Sequence, residues 1–393
     1  MIDLVFSVDV LGLLHNGSSA PRSGAAGRAP TPMLGETQRV GGTYSGLTDS
    51  VPLIGRGGGY QLRPARLIGV LLLGMAALAV RPVPVAAQPE LRMWLSPEMG
   101  KQIPRADYRY TFYPERDVEH QQAHFTLTEH QVMLFTPLYQ DSRNEWALSA
   151  KTLYQDIDTR ARFPDVGGRF PSELWDASAG ISYRHKFDNA WTGGVAITVG
   201  TASDKPFNSI DEMYARLVSL LRVPQGENNS WLFSLIYASD EQIFGQTIPV
   251  PGLAYAWVPS DKFTAVIGFP FSMIRYRPVE SLTLDAEYYP FWTVRTRATW
   301  EVFQPLRAYV EYQWDSDHFY RADRGDKKDK LFYREMRAYA GMRFDLRHIG
   351  FEVTGGYAFN RFYFEGEGYQ DRHDNRIDIG DGWFIVGKVN LRF

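Results

Sequence analysis

The sequence predicts an all-β protein, and more specifically a transmembrane, antiparallel, up-and-down β-barrel. Three observations favour this fold class: a two-residue hydrophobic period recurs after residue 88, the connections alternate between short and long, and aromatic residues gather near strand ends. The clearest strand is Trp383–Phe393, in which apolar residues dominate the odd positions while Lys388, Asn390 and Arg392 occupy even ones. Such alternation gives a strand one apolar and one polar face.

The first 105 residues are expected to precede the barrel as three segments. Residues 1–60 are rich in Gly, Ala, Ser, Pro and Thr, which predicts a disordered leader or an over-long translation start. Residues 61–87 are predicted to be a signal peptide, because the apolar run Leu67–Val80 follows two arginines and small residues stand at 85–87. A short membrane anchor is the alternative. Residues 88–105 are predicted to form an N-terminal periplasmic segment or a plug.

The composition excludes several chemistries. The 393 residues include no cysteine, which excludes disulfides, cysteine-ligated metal centres and cysteine nucleophiles. The formal net charge is -3, and after removal of the first 87 residues 35 basic and 41 acidic side chains are left, a net charge of -6. This balance gives no reason to expect a nucleic-acid partner. No residue pattern predicts a cofactor, and no metal site is expected.

Residues 106–393 are predicted to form the barrel, with about 14–16 strands and 12 as a lower possibility. Strands are expected to begin near residues 106, 124, 145, 173, 191, 212, 230, 248, 262, 271, 281, 293, 307, 331, 349 and 381. The hairpin at 271–290 is the doubtful pair, because Pro270, Pro278 and Pro290 cannot donate to a strand ladder. Without that hairpin, about fourteen strands would remain.

Two soluble all-β folds compete with the barrel. A β-sandwich also alternates in hydrophobicity, and a propeller would show a repeat of about 40–50 residues, which the sequence lacks. The placement of aromatic residues favours the barrel, because aromatic side chains at strand ends suit the two membrane interfaces. These residues are Trp146, Tyr154, Trp175, Phe187, Trp191, Trp231, Tyr237, Trp257, Phe263, Tyr288 and Trp383.

The C-terminal strand carries a family resemblance. Val389 and Leu391 place apolar side chains at alternate positions, and the chain ends on the aromatic Phe393. This end resembles the closing strand of bacterial outer-membrane β-barrels, and the chain is similar to porin-like barrels of an uncharacterised family. The resemblance implies the outer membrane of a Gram-negative cell, contact with membrane lipid and lipopolysaccharide, and recognition of these three residues by the barrel-assembly machinery. It also implies periplasmic short turns and extracellular long loops.

The polar face of the strands would line the lumen if the apolar face meets lipid. In the C-terminal half this face is rich in charge. The candidates for lumen or selectivity residues are Asp285, Glu287, Arg295, Arg297, Glu301, Glu311, Asp315, Glu335, Arg337 and Arg343. Two interpretations are open: a constriction that selects solutes by charge, or a ladder of structural ion pairs that fills a narrow barrel.

Other segments differ from this pattern. Residues 213–223, 231–238 and 248–269 are apolar on both faces, which favours packing against an internal segment over an apolar solute site. The charged segments 317–330 and 365–381 are expected to be solvated loops, and cations of the first of these could contact lipopolysaccharide phosphates.

The function expected from the sequence is a passive channel or solute-uptake pore for an unknown small solute. A closed structural or surface-interaction barrel is the alternative. No enzymatic activity is expected: His318 and His373 each adjoin an aspartate, but no nucleophile motif accompanies them.

Overall fold

The computed structural model describes residues 98–164, 168–241, 247–289, 293–373 and 375–393. Within these residues the chain forms one antiparallel sheet of seventeen strands that closes on itself. The predicted leader and signal peptide, and residues 88–97 of the predicted N-terminal segment, lie outside the described residues.

Each strand except the short β16 pairs with the next wall strand along the chain, as expected for an up-and-down barrel. The strands are β1 (Arg105–Asp117), β2 (His124–Gln140), β3 (Asn144–Thr159), β4 (Glu173–Lys186), β5 (Thr192–Ser203), β6 (Met213–Gln225), β7 (Asn229–Ala238), β8 (Val250–Ser260), β9 (Phe263–Phe269), β10 (Ser272–Val279), β11 (Leu282–Tyr289), β12 (Thr293–Phe303), β13 (Leu306–Phe319), β14 (Lys330–Asp345), β15 (Ile349–Gly366), β16 (Ile377–Ile379) and β17 (Gly382–Arg392).

Pairing between the first and last strands closes the barrel. β1 pairs with β2 along one edge and with β17 along the other, from Arg105 opposite Arg392 to Phe112 opposite Ile385. β16 has three residues and pairs with β15 inside the last long loop, whereas β15 also pairs directly with β17. The wall therefore consists of 16 strands. Closure satisfies the backbone groups of every strand, which a bilayer requires.

The predicted fold class is confirmed at its upper strand count. The doubtful hairpin is present as β10 and β11, so the alternatives of fourteen and twelve strands are wrong. Two of its prolines avoid the ladder, since Pro270 lies between β9 and β10, and Pro278 lies where the register shifts before the turn. Pro290 lies outside the described residues.

The two faces of the wall differ in polarity. Outward side chains are apolar and exposed, as for Val353, which is 64% exposed, while inward neighbours such as Glu311, at 4%, are covered. Exposed aromatic residues include Trp146, Trp231 and Trp257 near the short turns, each in contact with an aromatic ring of the adjacent strand. This surface suits the hydrocarbon and interfacial layers of a membrane.

The connections fall into two classes at opposite ends of the barrel. At one end, called here the short-turn end, two to five residues join the strands, as at 141–143 and 304–305. At the other, the long-loop end, residues 160–172, 204–212, 320–329 and 367–381 form the longer connections. The alternation predicted from the sequence is therefore confirmed, although 270–271 at the long-loop end is short.

The apolar core lies inside the barrel, in the half nearer the long-loop end. Side chains from opposite parts of the wall meet there, together with Phe163 and Phe170 of the connection between β3 and β4. The aromatic ring of Tyr363 on β15 lies 5.7 Å from that of Phe125 on β2 and 4.8 Å from that of Phe170. This half of the lumen is therefore filled by side chains.

A second apolar cluster explains the strands that are apolar on both faces. Inward residues of β5 to β11, including Leu220, Leu232 and Val266, pack together, and Phe135 reaches them from β2. Because β2 and β5 are three strands apart, this contact spans part of the lumen. The inner apolar face of these strands is thus used in packing.

Candidate functional site

A hairpin crosses the long-loop end of the barrel. It comprises residues 316–334, the end of β13 and the start of β14 with their connection, and is called the crossing hairpin below. Tyr320 forms a parallel bridge with Ser203 at the end of β5, and its backbone N donates to the carbonyl oxygen of Ala202 at 2.7 Å. β5 and β13 are eight positions apart in a wall of 16 strands, so they stand on opposite sides. The hairpin therefore spans the full opening.

Polar contacts hold the crossing hairpin on the opposite wall. The backbone N of Ala322 donates to the Asp204 carboxylate at 2.7 Å, and Arg324 donates to the carbonyl oxygen of Asp211 at 3.0 Å. On the hairpin's own side of the barrel, Arg321 donates to Glu365 of β15, the strand next to β14, at 3.0 Å. These two arginines and Lys330 are only 5–6% exposed.

The expectation of a solvated loop at 317–330 is therefore wrong for residues 318–321, 324 and 330, which are buried, while 323 and 325–328 are exposed. The surrounding wall and loops supply a carboxylate or carbonyl acceptor for each buried cation, so the charges are satisfied without water. Lys327 and Lys328 are exposed and form ion pairs with Asp211 and Glu367 at 3.2 and 3.9 Å. The sequence shows the charge run, but not the acceptors that lie across the barrel.

Asp240 is the centre of the contact between the crossing hairpin and the connection after β7. Its carboxylate accepts from Nη2 of Arg216 at 2.6 Å and lies 3.1 Å from Nε2 of His318. Its backbone oxygen accepts from Nζ of Lys330 at 2.5 Å. One residue thus links β6, β13 and β14. His318, which adjoins Asp317 in the sequence, is buried in this contact.

Two carboxyl groups of this connection have shifted pKa values. Burial alone would raise the pKa of Asp240, but Arg216 and His318 outweigh it and hold that pKa well below its usual range. For Glu241 burial dominates and, with the neighbouring charge of Asp240, raises the pKa to about 8 against the opposing effect of Arg216. Asp240 therefore favours the ionised carboxylate, whereas Glu241 favours the neutral, protonated carboxyl.

Beneath the crossing hairpin lies a buried polar network. Glu335 accepts hydrogen bonds from the hydroxyls of Tyr113 and Tyr333 at 2.8 and 3.0 Å and pairs with Arg337 at 3.1 Å. Arg337 also lies 3.7 Å from Asp315. These three charged residues were among the lumen candidates, and here they form ion pairs with one another.

A charged cavity occupies the half of the lumen nearer the short-turn end. Its volume is about 140 Å³. The side chains that line it are mostly charged and come from β10 to β14: Arg275, Asp285, Glu287, Arg295, Arg297, Thr299, Arg307, Tyr309 and Arg343. The side chains of Arg275 and Arg307 are 42% and 48% exposed, so solvent reaches the cavity.

Ion pairs in the cavity wall follow the strand register. Arg275 stands opposite Asp285 and pairs with it at 2.7 Å, and Asp285 stands opposite Arg297. Glu311 is shared by Arg295, at 2.6 Å, and Arg297. Opposite charges on adjacent strands stabilise the wall, so part of this set is an ion-pair ladder.

The ten lumen candidates thus separate into three groups. Asp285, Glu287, Arg295, Arg297 and Arg343 line the cavity, and Glu311 pairs with two of them from just outside. The second group is the buried network described above. Glu301 stands apart: it lies opposite Arg307 near the short-turn end, outside the ion pairs found in the described part of the chain.

Sequence reasoning missed several residues of the lumen. Arg307 and Tyr309 share the inward parity of Glu311 on β13, so the alternation alone could have added them. Arg275 can be placed on the inner wall only when the register of the β10–β11 hairpin is known. The prolines made that hairpin doubtful in the sequence. The role of Tyr113 had no signal in the sequence, because its partner Glu335 is 222 residues away.

The described part of the N-terminal segment, residues 98–104, contacts the wall at the short-turn end. Glu145 and Arg184 form a buried ion pair at 2.5 Å on the inner face of β3 and β4. Arg184 donates to the carbonyl oxygen of Glu98 at 2.9 Å, and the backbone N of Gly100 donates to Glu145 at 2.5 Å. A buried charge pair thus holds the chain before β1 against the inner wall.

The terminal strand completes the wall. Val389 stands opposite Tyr108 of β1 and Phe351 of β15, and Leu391 stands opposite Ala106 and Ile349. Phe393 is exposed, and its backbone N donates to the carbonyl oxygen of Pro104 at 3.1 Å.

The described residues contain neither a membrane-spanning helix nor a metal-binding cluster. No helix there is long and apolar enough to cross a bilayer. Within the same residues, no group of three or more His, Asp or Glu side chains is arranged to hold a metal ion.

Comparison with known proteins finds similarity in solved structures alone. No family model and no curated protein matches the sequence. OccK7 (OpdD) of Pseudomonas aeruginosa is 9% identical over 74% of this chain and 100% of its own, with a TM-score of 0.35. A FadL homologue of Pseudomonas aeruginosa is 13% identical over 74% and 90%, with a TM-score of 0.31. An outer-membrane channel of Pseudomonas putida F1 is 9% identical over 74% and 95%, with a TM-score of 0.33.

Similarity at this level supports no inference about function, and the classification rests on the barrel itself. The wall is closed, its outer surface is apolar with aromatic residues near the turns, and its connections are short at one end and longer at the other. These are the properties of barrels in the bacterial outer membrane. The described chain is thus a closed, antiparallel, up-and-down β-barrel with 16 wall strands and the outer surface of a membrane-spanning barrel.

Proposed function

We propose that the protein is an outer-membrane channel for small charged solutes, closed at its long-loop end by the crossing hairpin. The observation that carries the proposal is the contrast between the two halves of the lumen. The short-turn half contains a charged cavity that solvent reaches, whereas the long-loop half is blocked by a hairpin bound to the opposite wall. Such a channel would conduct when the hairpin lifts and the core side chains packed against it, including Phe163 and Phe170, rearrange with it.

The contacts of the crossing hairpin are consistent with a movable block. Many of them are ion pairs and hydrogen bonds, such as those of Asp240 and Asp204, which water can replace when the hairpin lifts. Intramolecular hydrogen bonds contribute only about 0.5–1.5 kcal/mol each because water competes for them. The hairpin continues directly into the wall through β13 and β14, so lifting needs bending of two strands and no break in the barrel.

A closed barrel without conduction is the second candidate function. Phe319, Leu331 and Tyr333 of the crossing hairpin belong to the apolar core of the lumen. Burial of a large apolar side chain stabilises by about 1.5–3 kcal/mol, so exposing all three would oppose opening. The balance between this packing and the polar contacts decides between the two functions.

A disulfide lock separates the two candidates. The chain contains no cysteine, so the double variant Ser203→Cys/Tyr320→Cys introduces one possible disulfide across the mouth. Hydrogen-bonded neighbouring strands lie about 4.7–4.9 Å apart, within the Cα–Cα range for a disulfide. We expect ion conductance in planar bilayers when this variant is reduced and its loss when the disulfide forms.

The control is Thr136→Cys/Leu148→Cys, which staples the adjacent strands β2 and β3 on the outer face. Oxidation of the control should leave conductance unchanged. Folded barrels that never conduct, in either redox state and in the unmodified chain, would establish the closed barrel instead. Conductance that persists after oxidation of the first pair would exclude the crossing hairpin as the block.

The remaining parts of the proposal concern orientation and partners. The terminal residues Val389, Leu391 and Phe393 are proposed to be read by the barrel-assembly machinery, which sets the short-turn end in the periplasm. The outer face would then contact membrane lipid, and Lys327 and Lys328 would lie near lipopolysaccharide phosphates. Solutes would meet the charged cavity from the periplasmic end and the crossing hairpin from outside. We propose no catalytic step.

A further inference from the structure

We infer that the charged cavity in the short-turn half is a binding site for a small oxyanion such as phosphate, sulfate or a short carboxylate. The site itself follows from the side chains around the cavity. Its role in selecting permeating solutes rests on the proposed channel function.

Donor groups outnumber acceptors on the cavity wall. Five arginines line it, against two carboxylates. Each guanidinium carries five N–H donors in a planar fork that matches two oxygens of an oxyanion, and it keeps its charge at every physiological pH. A cavity with this lining can surround an oxyanion with donors from several strands at once.

The strand register places like charges side by side near the cavity. Arg307 stands directly opposite Arg343 on the adjacent strand, and further around the wall Lys388 stands opposite Arg109. Like charges in directly opposed positions destabilise a sheet. An anion between Arg307 and Arg343 would turn this repulsion into two attractions.

Carboxylates contact all five cations, and Glu352 lies 3.5 Å from Arg297 and 3.8 Å from Arg343, but Arg307 has the loosest partner of the five. Asp345 is shared by three arginines, with Arg343 at 2.9 Å, Arg392 at 3.3 Å and Arg307 at 3.7 Å. At 3.7 Å the contact of Arg307 is longer than a hydrogen bond, and its side chain is half exposed. Its guanidinium can therefore donate to a ligand without breaking a close ion pair.

The dimensions restrict the ligand to a small one. The cavity volume is about 140 Å³, below the range of about 300–1,000 Å³ that is usual for pockets of drug-sized ligands. The side-chain hydroxyl of Thr299 lies in the same lining and offers a neutral donor beside the guanidinium groups. A compact oxyanion with few carbon atoms fits both the volume and the donors.

Calorimetric titration of sodium sulfate and sodium phosphate into the folded full-length barrel, in a neutral detergent, tests the site. Sodium chloride at equal ionic strength measures non-specific screening. We expect saturable binding of at least one oxyanion to the unmodified chain. We expect about tenfold weaker binding after Arg307→Gln and after Arg275→Gln, because both side chains reach the cavity while partly exposed.

The matched control is Arg277→Gln, which removes an exposed arginine two residues from Arg275 and outside the lining. Its affinity should equal that of the unmodified chain, and circular dichroism checks that all variants are folded. The inference is overturned by the absence of saturable binding to the folded, unmodified barrel, or by equal affinities in all three variants. Because binding needs no open pore, a barrel that binds oxyanions but never conducts would refute the channel and leave the site.

Discussion

At the scale of single residues, Asp240 connects the barrel wall to the crossing hairpin. It accepts from Arg216, contacts His318 and binds Lys330 through its backbone oxygen, so the wall and both strands of the crossing hairpin meet there. Removal of one member of a buried charge pair commonly costs about 3–5 kcal/mol, because the other charge is left without compensation. The position of the hairpin thus depends strongly on this one carboxylate.

The first prediction concerns Asp240→Asn. The amide keeps the shape of the side chain but removes the charge that compensates Arg216, so we expect the crossing hairpin to open more often. Hydrogen exchange of the backbone amides in 317–330 should become at least tenfold faster. The control is Asp326→Asn, at an exposed carboxylate of the same connection. Equal exchange rates in both variants would contradict the central role of Asp240.

The second prediction concerns pH and Glu241. Its pKa is about 8 in the folded protein and about 4.5 when unperturbed, so the closed form favours the neutral carboxyl. A raised carboxyl pKa stabilises the closed form fully below the unperturbed pKa, and this contribution is lost as pH rises towards the folded pKa. Opening of the hairpin, measured by conductance or amide exchange, should therefore increase between about pH 4.5 and pH 8.

The variant Glu241→Gln isolates this effect. Glutamine stays neutral, so the increase over that pH range should become much smaller. The carboxyl of Asp141, whose pKa is lowered by the backbone N–H groups of Arg143 and Asn144 in a short turn, lies at the opposite end and serves as a control site. A pH profile altered equally by Asp141→Asn and by Glu241→Gln would exclude a local origin.

At the scale of elements, the contact of β8 with β9 is unusually close. A Cβ atom at Gly268 would lie 2.2 Å from the carbonyl oxygen of Leu253 and 2.3 Å from the Cα of Ala254. Real Cβ atoms do not approach backbone this closely, so the strands can pack this way only because residue 268 lacks a side chain. Gly355 on β15 is different, since a Cβ there would meet nothing within 4 Å.

The third prediction compares these two glycines. Gly268→Ala should destabilise the folded barrel by about 1–3 kcal/mol, the usual cost of forcing an extra group into a packed site. Gly355→Ala should be neutral or slightly stabilising, because the methyl group enters open space and the unfolded chain loses freedom. Urea unfolding in detergent micelles measures both. Equal stabilities of the two variants would show that β8 and β9 separate without cost.

At the scale of the whole molecule, closure depends on β17, and the last residue contributes little to it. Phe393 is exposed, and its backbone donates one hydrogen bond to Pro104. The side chain therefore has a small part in the stability of the finished barrel. A role in assembly would act before the barrel exists.

The fourth prediction uses this difference. Deletion of Phe393 should lower the amount of barrel assembled in cells several-fold, while refolding of the purified chain in detergent changes little. The control is Phe344→Ser, which removes an exposed aromatic side chain from the outer face without touching the terminus. Normal cellular assembly of the deletion variant would argue against the terminal signal, and failure of refolding would assign Phe393 a structural role.

Much of the architecture was predictable because a barrel wall obeys a local rule. In each strand the side chains alternate between two environments, so Trp383–Phe393 already indicates which residues face outward. Strand starts observed at 105, 124, 144 and 173 compare with expected starts at 106, 124, 145 and 173. The alternation alone leaves the count between 14 and 16, because the prolines of the β10–β11 hairpin are acceptable only at the positions that the fold gives them.

The sequence by itself determined the strands, their two faces and the charged inner wall that contains Arg297 and Glu311. The reason is that the alternation of apolar and polar side chains depends only on residues adjacent in the chain. Only the tertiary structure decided that residues 316–334 cross the mouth, since Tyr320 and Ser203 meet across a full barrel diameter. The tertiary structure also decided which charged side chains form buried ion pairs and which face the cavity. Those outcomes depend on contacts between residues far apart in the chain, such as Tyr113 with Glu335, and no local pattern encodes them.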